Sequence, residues 1–237
     1  MISIPLYLAE AHACSYLAQH NAQFAYIHPD FPLSTELYSQ LIEQGFRRSG
    51  SHVYQPSCTA CKKCTSVRLA VNDFQPSRQQ RRTLRSNIDI QVRIKPATFE
   101  QQHFDLYLLY QKNRHTDSSM ASATKDDYIN FLSSEWCNTL FVEFSYAGKL
   151  AGIAVVDLLD NALSAVYTFF DPRFSKRSLG VYAVLWQIEH AKSLGMEWVY
   201  LGYWVEQCQK MSYKINYQPL QGLVEKEWRD YSSGSFY

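Results

Sequence analysis

Apolar positions recur along the chain with two periods, and the alternation between them sets out the elements. Ser34 can cap a short helix whose apolar face is Leu37, Tyr38, Leu41 and Ile42, and Gly45 ends it. VRLAVNDF, from Val67, reads as a strand. Ser77 and Gln80 form a capping box opening a polar helix, and residues 88–94 alternate as another strand. Thr98 with Gln101 starts a helix bearing Phe104, Tyr107, Leu108 and Tyr110, which runs out in the polar stretch Asn113 to Asp117. Thr124 with Asp127 starts another, bearing Tyr128, Phe131 and Leu132. TLFVEFSY, KLAGIAVVDLL and ALSAVYTFF follow, separated by turns at Ala147-Gly148 and Asp160-Asn161, and predict three meandering strands.

The stretch from Tyr167 to Lys214 is the unit the rest is organised around. An aromatic strand ends at Asp171-Pro172, a basic loop runs from Arg173 to Leu179, and a helix follows with Val181, Val184, Leu185, Ile188 and Ala191 on one face. Gly195 stops the helix, and EWVYLGYW predicts a buried strand. Gly180 lets backbone approach a ligand closely, and the helix N-terminus favours an anion, so Lys176, Arg177, Ser178, Leu179 and Gly180 are candidate phosphate contacts. A polar, aromatic segment and a last strand in LVEKEWR complete the chain. This β-loop-α-β unit resembles the one that cradles a phosphate-bearing substrate in the acyl-CoA N-acetyltransferase (GNAT) fold. The expected fold class is therefore α/β: a GNAT-like mixed, mostly antiparallel sheet with flanking helices. The element order spans roughly residues 67–237, and the domain division is placed at 1–75, a small cysteine-bearing N-terminal module, and 76–237.

Composition narrows the class. At 46% hydrophobic and 19% charged residues the 237-residue chain reads as a soluble globular protein, with 17 Tyr and 13 Phe making it rich in aromatics. No apolar run has membrane-spanning length and the start lacks a charged n-region, so a cytoplasmic location without membrane contact is expected. The net charge of +1 conceals an asymmetry: Lys62 to Lys95 holds nine basic residues against Asp73 and Asp89, leaving −6 on the remainder. Within it, Arg78, Arg81, Arg82 and Arg85 fall on one helical face, where like charges repel and those in the first turn oppose the helix dipole; an external anion resolves both.

Cys58, Cys61 and Cys64 form C-x-x-C-x-x-C, with Cys14 available as a fourth ligand, a spacing that turns successive thiolates toward one soft metal or cluster. Reduced structural thiols are the competing reading. Cys137 and Cys208 sit in apolar or helical contexts and read as packing thiols.

Taken together, CSYL at Cys14, GFRRSG at Gly45, VYQPSCTACKKC at Val53, RLAVNDFQPSRQQRR at Arg68, FFDP at Phe169, RSLGVYAVLWQIEHAK at Arg177 and YLGYWVEQCQKMSYK at Tyr200 resemble the bacterial aminoacyl-tRNA–protein transferases, in the branch of the aspartate/glutamate leucyltransferases, related to the eukaryotic arginyl-tRNA–protein transferases. The resemblance spans nearly the whole chain. It implies transfer of leucine from leucyl-tRNA to the α-amine of proteins or peptides beginning with Asp or Glu, marking them for degradation, on a GNAT-like domain where aminoacyl-adenosine replaces acyl-CoA. One departure concerns metal: the eukaryotic first motif is C-x-x-C, whereas Cys14-Ser15-Tyr16-Leu17 has a single cysteine. The reaction requires no cofactor, and zinc or an iron–sulfur cluster at the cysteine motif is a separate expectation.

For that role the Arg78, Arg81, Arg82 and Arg85 face suits an acceptor-stem backbone. Asp157 and Glu143 are candidates to orient the amine or relay its proton, with Tyr203 beside them; Tyr203, Trp204, Tyr213 and Tyr217 can also stack on a base or wall the amino-acid pocket. Recognition of an acidic side chain needs cations, and Arg47, Arg48, Arg114, His115, Arg173, Lys210 and Lys214 are the candidates. An arginyl donor would need a buried carboxylate in its pocket, whereas a leucyl donor needs apolar walls. The alternatives are an arginyltransferase; an acyl-CoA N-acetyltransferase, which would need a denser Gly-rich loop; and a non-catalytic tRNA-binding module, which would keep only the arginine face.

Overall fold

The computed structural model describes residues 3–114, 122–232 and 234–236. The chain opens with short strands: β1 (Leu6–Leu8), β2 (His12–Ala13), β3 (Asn21–Ala22) and β4 (Phe24–Ile27). Helix α1 (Thr35–Glu43) follows, its first turn capped by the Ser34 hydroxyl, which accepts the Leu37 N–H at 3.2 Å. Then come β5 (Arg47–Ser49) and β6 (His52–Pro56). Among the described residues these make a four-stranded sheet in the order β1-β4-β6-β5. A loop-rich module was expected here; its strands escape a periodicity search because they are only two to five residues long.

The larger part contains β7 (Thr65–Ala70), α2 (Arg78–Ser86), β8 (Gln91–Pro96), α3 (Gln101–Arg114), α4 (Lys125–Leu132), β9 (Thr139–Tyr146), β10 (Lys149–Leu158), β11 (Ala162–Phe170), α5 (Leu179–Ser193), β12 (Trp198–Trp204), β13 (Leu220–Val224) and β14 (Glu227–Asp230). The capping boxes read at Ser77 and Thr124 are both formed. The basic loop is a 3₁₀ segment, Pro172–Arg177, and LVEKEWR is a hairpin corner rather than one strand, turning at Glu225 and Lys226 with φ of 52° and 68°. The described strands form an eight-stranded sheet in the order β14-β13-β7-β12-β11-β10-β9-β8. Among them β11 and β12 are the one parallel pair, joined through α5. This is the mixed, mostly antiparallel sheet with flanking helices that was expected. β7, N-terminal to the 75/76 division, lies between β13 and β12 inside it.

Alternation divides the side chains between the two faces of the sheet. Leu163, Val199 and Leu201 pack with Leu185 and Ile188 of α5. On the other face Ile153, Val155 and Phe169 meet Tyr107 of α3 and Tyr128 of α4, while Tyr200 meets Tyr38 and Leu41 of α1. Helix α5 and the N-terminal module therefore cover opposite faces. Among the described residues no helix is long and apolar enough to cross a membrane.

Candidate active site

The parallel strands β11 and β12 pair only from Ala162 opposite Trp198 to Ser164 opposite Tyr200. Beyond that they part, leaving backbone groups on both sides of a wedge that open toward whatever enters it. On the other side of β12 its pairing with β7 carries a bulge at Tyr200/Gly202, and Gly202 takes φ +82°, a left-handed conformation that other residues adopt only at a cost.

Two cations reach this opening. Arg47, from β5, donates from Nη2 to the Ala165 carbonyl at 2.8 Å, the first residue of β11 past the paired segment. Lys214, in the 3₁₀ segment Gln209–Asn216, donates from Nζ to the Tyr203 carbonyl on β12. Both are 7% exposed, and a Cβ built on Gly202 would lie 3.5 Å from Arg47 Nη2 and 3.6 Å from Lys214 Nζ. Arg47 Nη1 is buried without a hydrogen-bond partner, and among the described residues neither cation has a carboxylate within ion-pair distance. Burial, then the Arg47 charge, bring Lys214 down to about 7. An unpaired buried guanidinium beside a lysine held at this value is a site for an anion.

The other candidates fall elsewhere. Arg48, next to Arg47 on the strand, points to the opposite face and is paired with Asp157, Nε to Oδ2 at 2.7 Å and Nη2 to Oδ1 at 2.5 Å, while Thr139 donates to Asp157 at 2.9 Å. This corrects two assignments: Arg48 is not open to a substrate acid and Asp157 is not open to an amine, because each is the other's buried counterion. Glu143 is likewise engaged, by Lys95 at 2.8 Å and His103 at 2.7 Å; burial pushes its carboxyl up, but those hydrogen bonds hold it below its ordinary value. It stands on β9, two strands from β11, and is removed from the amine-handling candidates. Tyr203 donates to the Gly45 carbonyl at 2.8 Å and burial holds its phenol well above its ordinary value, so it is a wall rather than an acid. Arg173 chelates the buried Asp171, which its hydrogen bonds hold below the usual carboxylate range. Lys210 is exposed, Arg114 is exposed at the end of α3, and His115 lies outside the described residues. Trp204 and Tyr217 pack in the core beside α5, whereas Tyr213 stands at the wedge, its ring centroid 6.0 Å from Lys214 Nζ.

On the α5 side, Ser178 sits at the helix start with φ +53° and no side-chain cap, so the first-turn N–H groups are without a side-chain acceptor. Gly180 has Phe170 3.6 Å from a notional Cβ. Lys176 is exposed. Arg177 instead pairs with Asp89 at 2.6 Å, donates to the Ser86 carbonyl at 2.9 Å and lies 3.8 Å over the Tyr146 ring, and Asn87 donates to the Arg177 carbonyl at 2.8 Å. It therefore fixes the end of α2 beside the start of α5. Arg78, Arg81, Arg82 and Arg85 are all exposed on α2, while Gln80 and Thr83 are buried against the body.

Cys14, Cys58, Cys61 and Cys64 line one cavity of about 630 Å³ between the N-terminal sheet and the large one, with Tyr203 as part of its wall. Burial, then Cys58, Cys14 and Cys61, push the Cys64 thiol to about 12. The set is right for a thiophilic cation, which would reverse that cost, but the sulfurs are not gathered: among the described residues the ligand set lying within 4.8 Å of itself is Glu100, His103 and Glu143, where Lys95 already supplies the positive charge.

Sequence reasoning missed Gly202 and the Ala165 carbonyl. An isolated glycine within the strand pattern YLGYW was the available signal for the bulge; nothing in the sequence marks the point where β11 and β12 part.

Comparison with known proteins adds the following. Residues 12–82 match the family model described as arginine-tRNA-protein transferase, N terminus, and residues 102–224 its C terminus. An aspartate/glutamate leucyltransferase of Alcanivorax borkumensis is 47% identical over 94% of this chain and 92% of its own, and proteins of that name from Pseudomonas fluorescens and Hahella chejuensis are each 45% identical over 95% of this chain and 96% and 97% of theirs. Among solved structures, that of L-PGS from Bacillus licheniformis aligns with a TM-score of 0.44 at 9% identity, covering 60% of this chain and 46% of that one.

Proposed function

The chain belongs to the arginine-tRNA-protein transferase family, and on that premise we propose that it is an aspartate/glutamate leucyltransferase, moving leucine from leucyl-tRNA to the α-amine of proteins that begin with Asp or Glu and so marking them for degradation. The observation that carries the acceptor side of this reading is the pair of buried cations, Arg47 and Lys214, at the β11–β12 wedge, with no carboxylate partner among the described residues. A side-chain carboxylate entering there accepts from Arg47 Nη1 and restores Lys214 to full charge. A neutral side chain leaves a buried guanidinium unpaired, which costs several kcal/mol and excludes it.

The donor approaches from the opposite face. The arginine face of α2 takes acceptor-stem phosphates, the uncapped start of α5 takes the terminal phosphate, and the aminoacyl-adenosine enters the wedge. Leucine is favoured over arginine because, among the described residues, the buried carboxylates Glu143, Asp157 and Asp171 are each already engaged by a cation, leaving none of them to hold a guanidinium.

The chemistry is aminolysis of an ester. The amine nitrogen attacks the leucyl carbonyl and the tetrahedral intermediate collapses; the ribose oxygen leaves with the bonding electron pair and takes up a proton as the nitrogen gives one up, the transfer relayed by solvent. With an unperturbed α-amine pKa of about 7.7–8.0, a fair share of the nucleophile is neutral at physiological pH, and no carboxylate base is needed. At the cysteine cavity, Cys14, Cys58, Cys61 and Cys64 would hold a soft metal as a structural staple of the N-terminal module.

The test mixes purified protein, tRNA charged with labelled leucine or arginine, and peptides beginning with Asp, Glu, Arg or Ala. Label should pass from leucyl-tRNA to the Asp and Glu peptides only. Arg47→Ala should raise KM for the peptide, and the double variant Arg81→Ala/Arg82→Ala should raise KM for leucyl-tRNA and flatten its salt dependence. Transfer from arginyl-tRNA alone would overturn the donor, and transfer to Ala peptides as readily as to Asp peptides would overturn the role of the cation pair.

A further inference from the structure

The outer face of the N-terminal sheet departs from the usual rule that an open face is polar. Its inner face is ordinary: Ala25, Ile27 and Val53 are at most 5% exposed, the latter two packed on α1. The outer face carries rings. In register across the strands, Tyr7 of β1 stands opposite Tyr26 of β4, Tyr26 opposite Tyr54 of β6, and Tyr54 opposite Arg47 of β5, so all four project from one face in a transverse row. Their rings touch in sequence, Tyr7 to Tyr26 at 5.7 Å, Tyr26 to Tyr54 at 5.6 Å and Tyr54 to Tyr203 at 6.3 Å. Phe24, His28 and His52 flank the row on the same face, with Phe24 5.3 Å from Tyr54, His28 6.3 Å from Tyr7 and His52 6.5 Å from Tyr26. Exposure is graded, from 38% at Tyr7, through half-buried Tyr26 and Tyr54, to 7% at Arg47.

We propose that this aromatic row is the docking surface for the residues that follow the acidic N-terminal residue of the protein substrate. The proposal rests on the reading of Arg47 as the acceptor of that first side chain. Length fits: three strand spacings of about 4.8 Å give a row of about 14 Å, which an extended chain at about 3.3 Å per residue covers with four residues. Continuity fits as well, since the row ends on Arg47 itself, so a peptide anchored there has the shelf as its path to solvent. The 3′ strand of the tRNA is the competing occupant, because bases also stack on aromatic rings. Charge decides against it: Arg47 is the only lysine or arginine at the described strand positions of this face, whereas the exposed arginines of α2 lie on the side of α5. Beyond Arg47, which the acidic side chain takes, the row holds three tyrosines; these give phosphates no charge to pair with, but give apolar and aromatic side chains and a neutral peptide backbone broad ring faces.

The test compares an Asp-led hexapeptide having aromatic and aliphatic residues at positions 2–5 with an Asp-led dipeptide amide. Binding is read by competition against a fluorescent acidic peptide, so it needs no tRNA and remains informative even where no leucine is transferred. In Tyr7→Ala/Tyr26→Ala the ratio of hexapeptide to dipeptide dissociation constants should rise about tenfold, the loss of two ring contacts worth about 0.7 kcal/mol each. Tyr7→Phe/Tyr26→Phe, which keeps the rings, should hold the ratio near wild type. An unchanged ratio in the alanine variant, equal losses for both lengths, or a loss that appears in leucyl-tRNA binding instead would each overturn the shelf. Intact binding with no transfer to any acidic peptide would instead overturn the catalytic reading.

Discussion

Arg47 and Arg48 show how far residue-level reading reaches. Adjacent in a strand, they must project to opposite faces; one meets Asp157, the other meets the Ala165 carbonyl and has no carboxylate partner among the described residues. The sequence reading grouped them because GFRRSG, rich in turn residues, shows no strand period from which to separate them. The same blindness put Asp157 at the chemistry: a carboxylate in an apolar strand signals a special environment but does not name its partner. Lys214 was among the candidates, and its state now has a measurable consequence. Its pKa falls on folding from 10.5 to about 7, so between those values the unfolded chain holds a proton that the folded chain releases. Stability attributable to this group therefore rises with pH across that window, and the full penalty applies below it. Lys214→Met removes the penalty: relative to wild type it should be more stabilised at pH 6 than at pH 9, by about 2–3 kcal/mol from two pH units of the window at 1.36 kcal/mol each. Urea unfolding at the two pH values measures this, and an equal difference at both would show that the amine is not desolvated. The same variant should lose transfer to acidic peptides, so the cation costs stability and is kept for the site.

At the scale of elements, those with strong local rules were legible. Helices α1, α2 and α4 carry their caps in the sequence, and the meander β9-β10-β11 its alternation and turns. Elements defined by partners were not. The β13–β14 hairpin turns through positive φ at Glu225 and Lys226, where no glycine or asparagine announces it. The 57–64 loop, without helix or strand, holds Cys58, Cys61 and Cys64 beside β7 through few hydrogen bonds, Ser57 N–H to Gln23 O at 2.8 Å and Gln23 N–H to Cys58 Sγ at 3.4 Å among them. A metal that drew these thiolates together would contribute its binding free energy to folding and order the loop. Protein purified without chelator should then contain near-stoichiometric zinc or iron, and Cys61→Ser/Cys64→Ser should lose it and expose the loop to proteolysis. Metal-free protein with an equally protected loop would assign the four cysteines to packing alone.

At the scale of the molecule, the division at 75/76 follows the shift from cysteine-bearing, turn-rich sequence to periodic sequence, and pairing in a sheet ignores such shifts. β7 belongs by sequence to the first part and by hydrogen bonding to the second, aligned with β12 from Ala70 opposite Trp198 to Thr65 opposite Trp204 and with β13 at Leu69 opposite Leu220. Cutting after residue 75 would leave β12 and β13 facing an empty slot, strip out Val67, Leu69 and Val71, each fully buried, and remove the Arg48 counterion of Asp157. Three such aliphatic side chains contribute about 1.5–3 kcal/mol each, and orphaning a buried charge costs about 3–5 kcal/mol, together on the order of the whole stability of a domain. Residues 76–237 expressed alone should therefore be insoluble or lack a cooperative melt; a dispersed amide spectrum and a sharp transition from that fragment would show the modules to be separable. The proposed site has the same construction. Its wedge is made by strands of the large sheet and its guanidinium, Arg47, arrives from the small one, so on that reading the site is complete only where the two sheets meet.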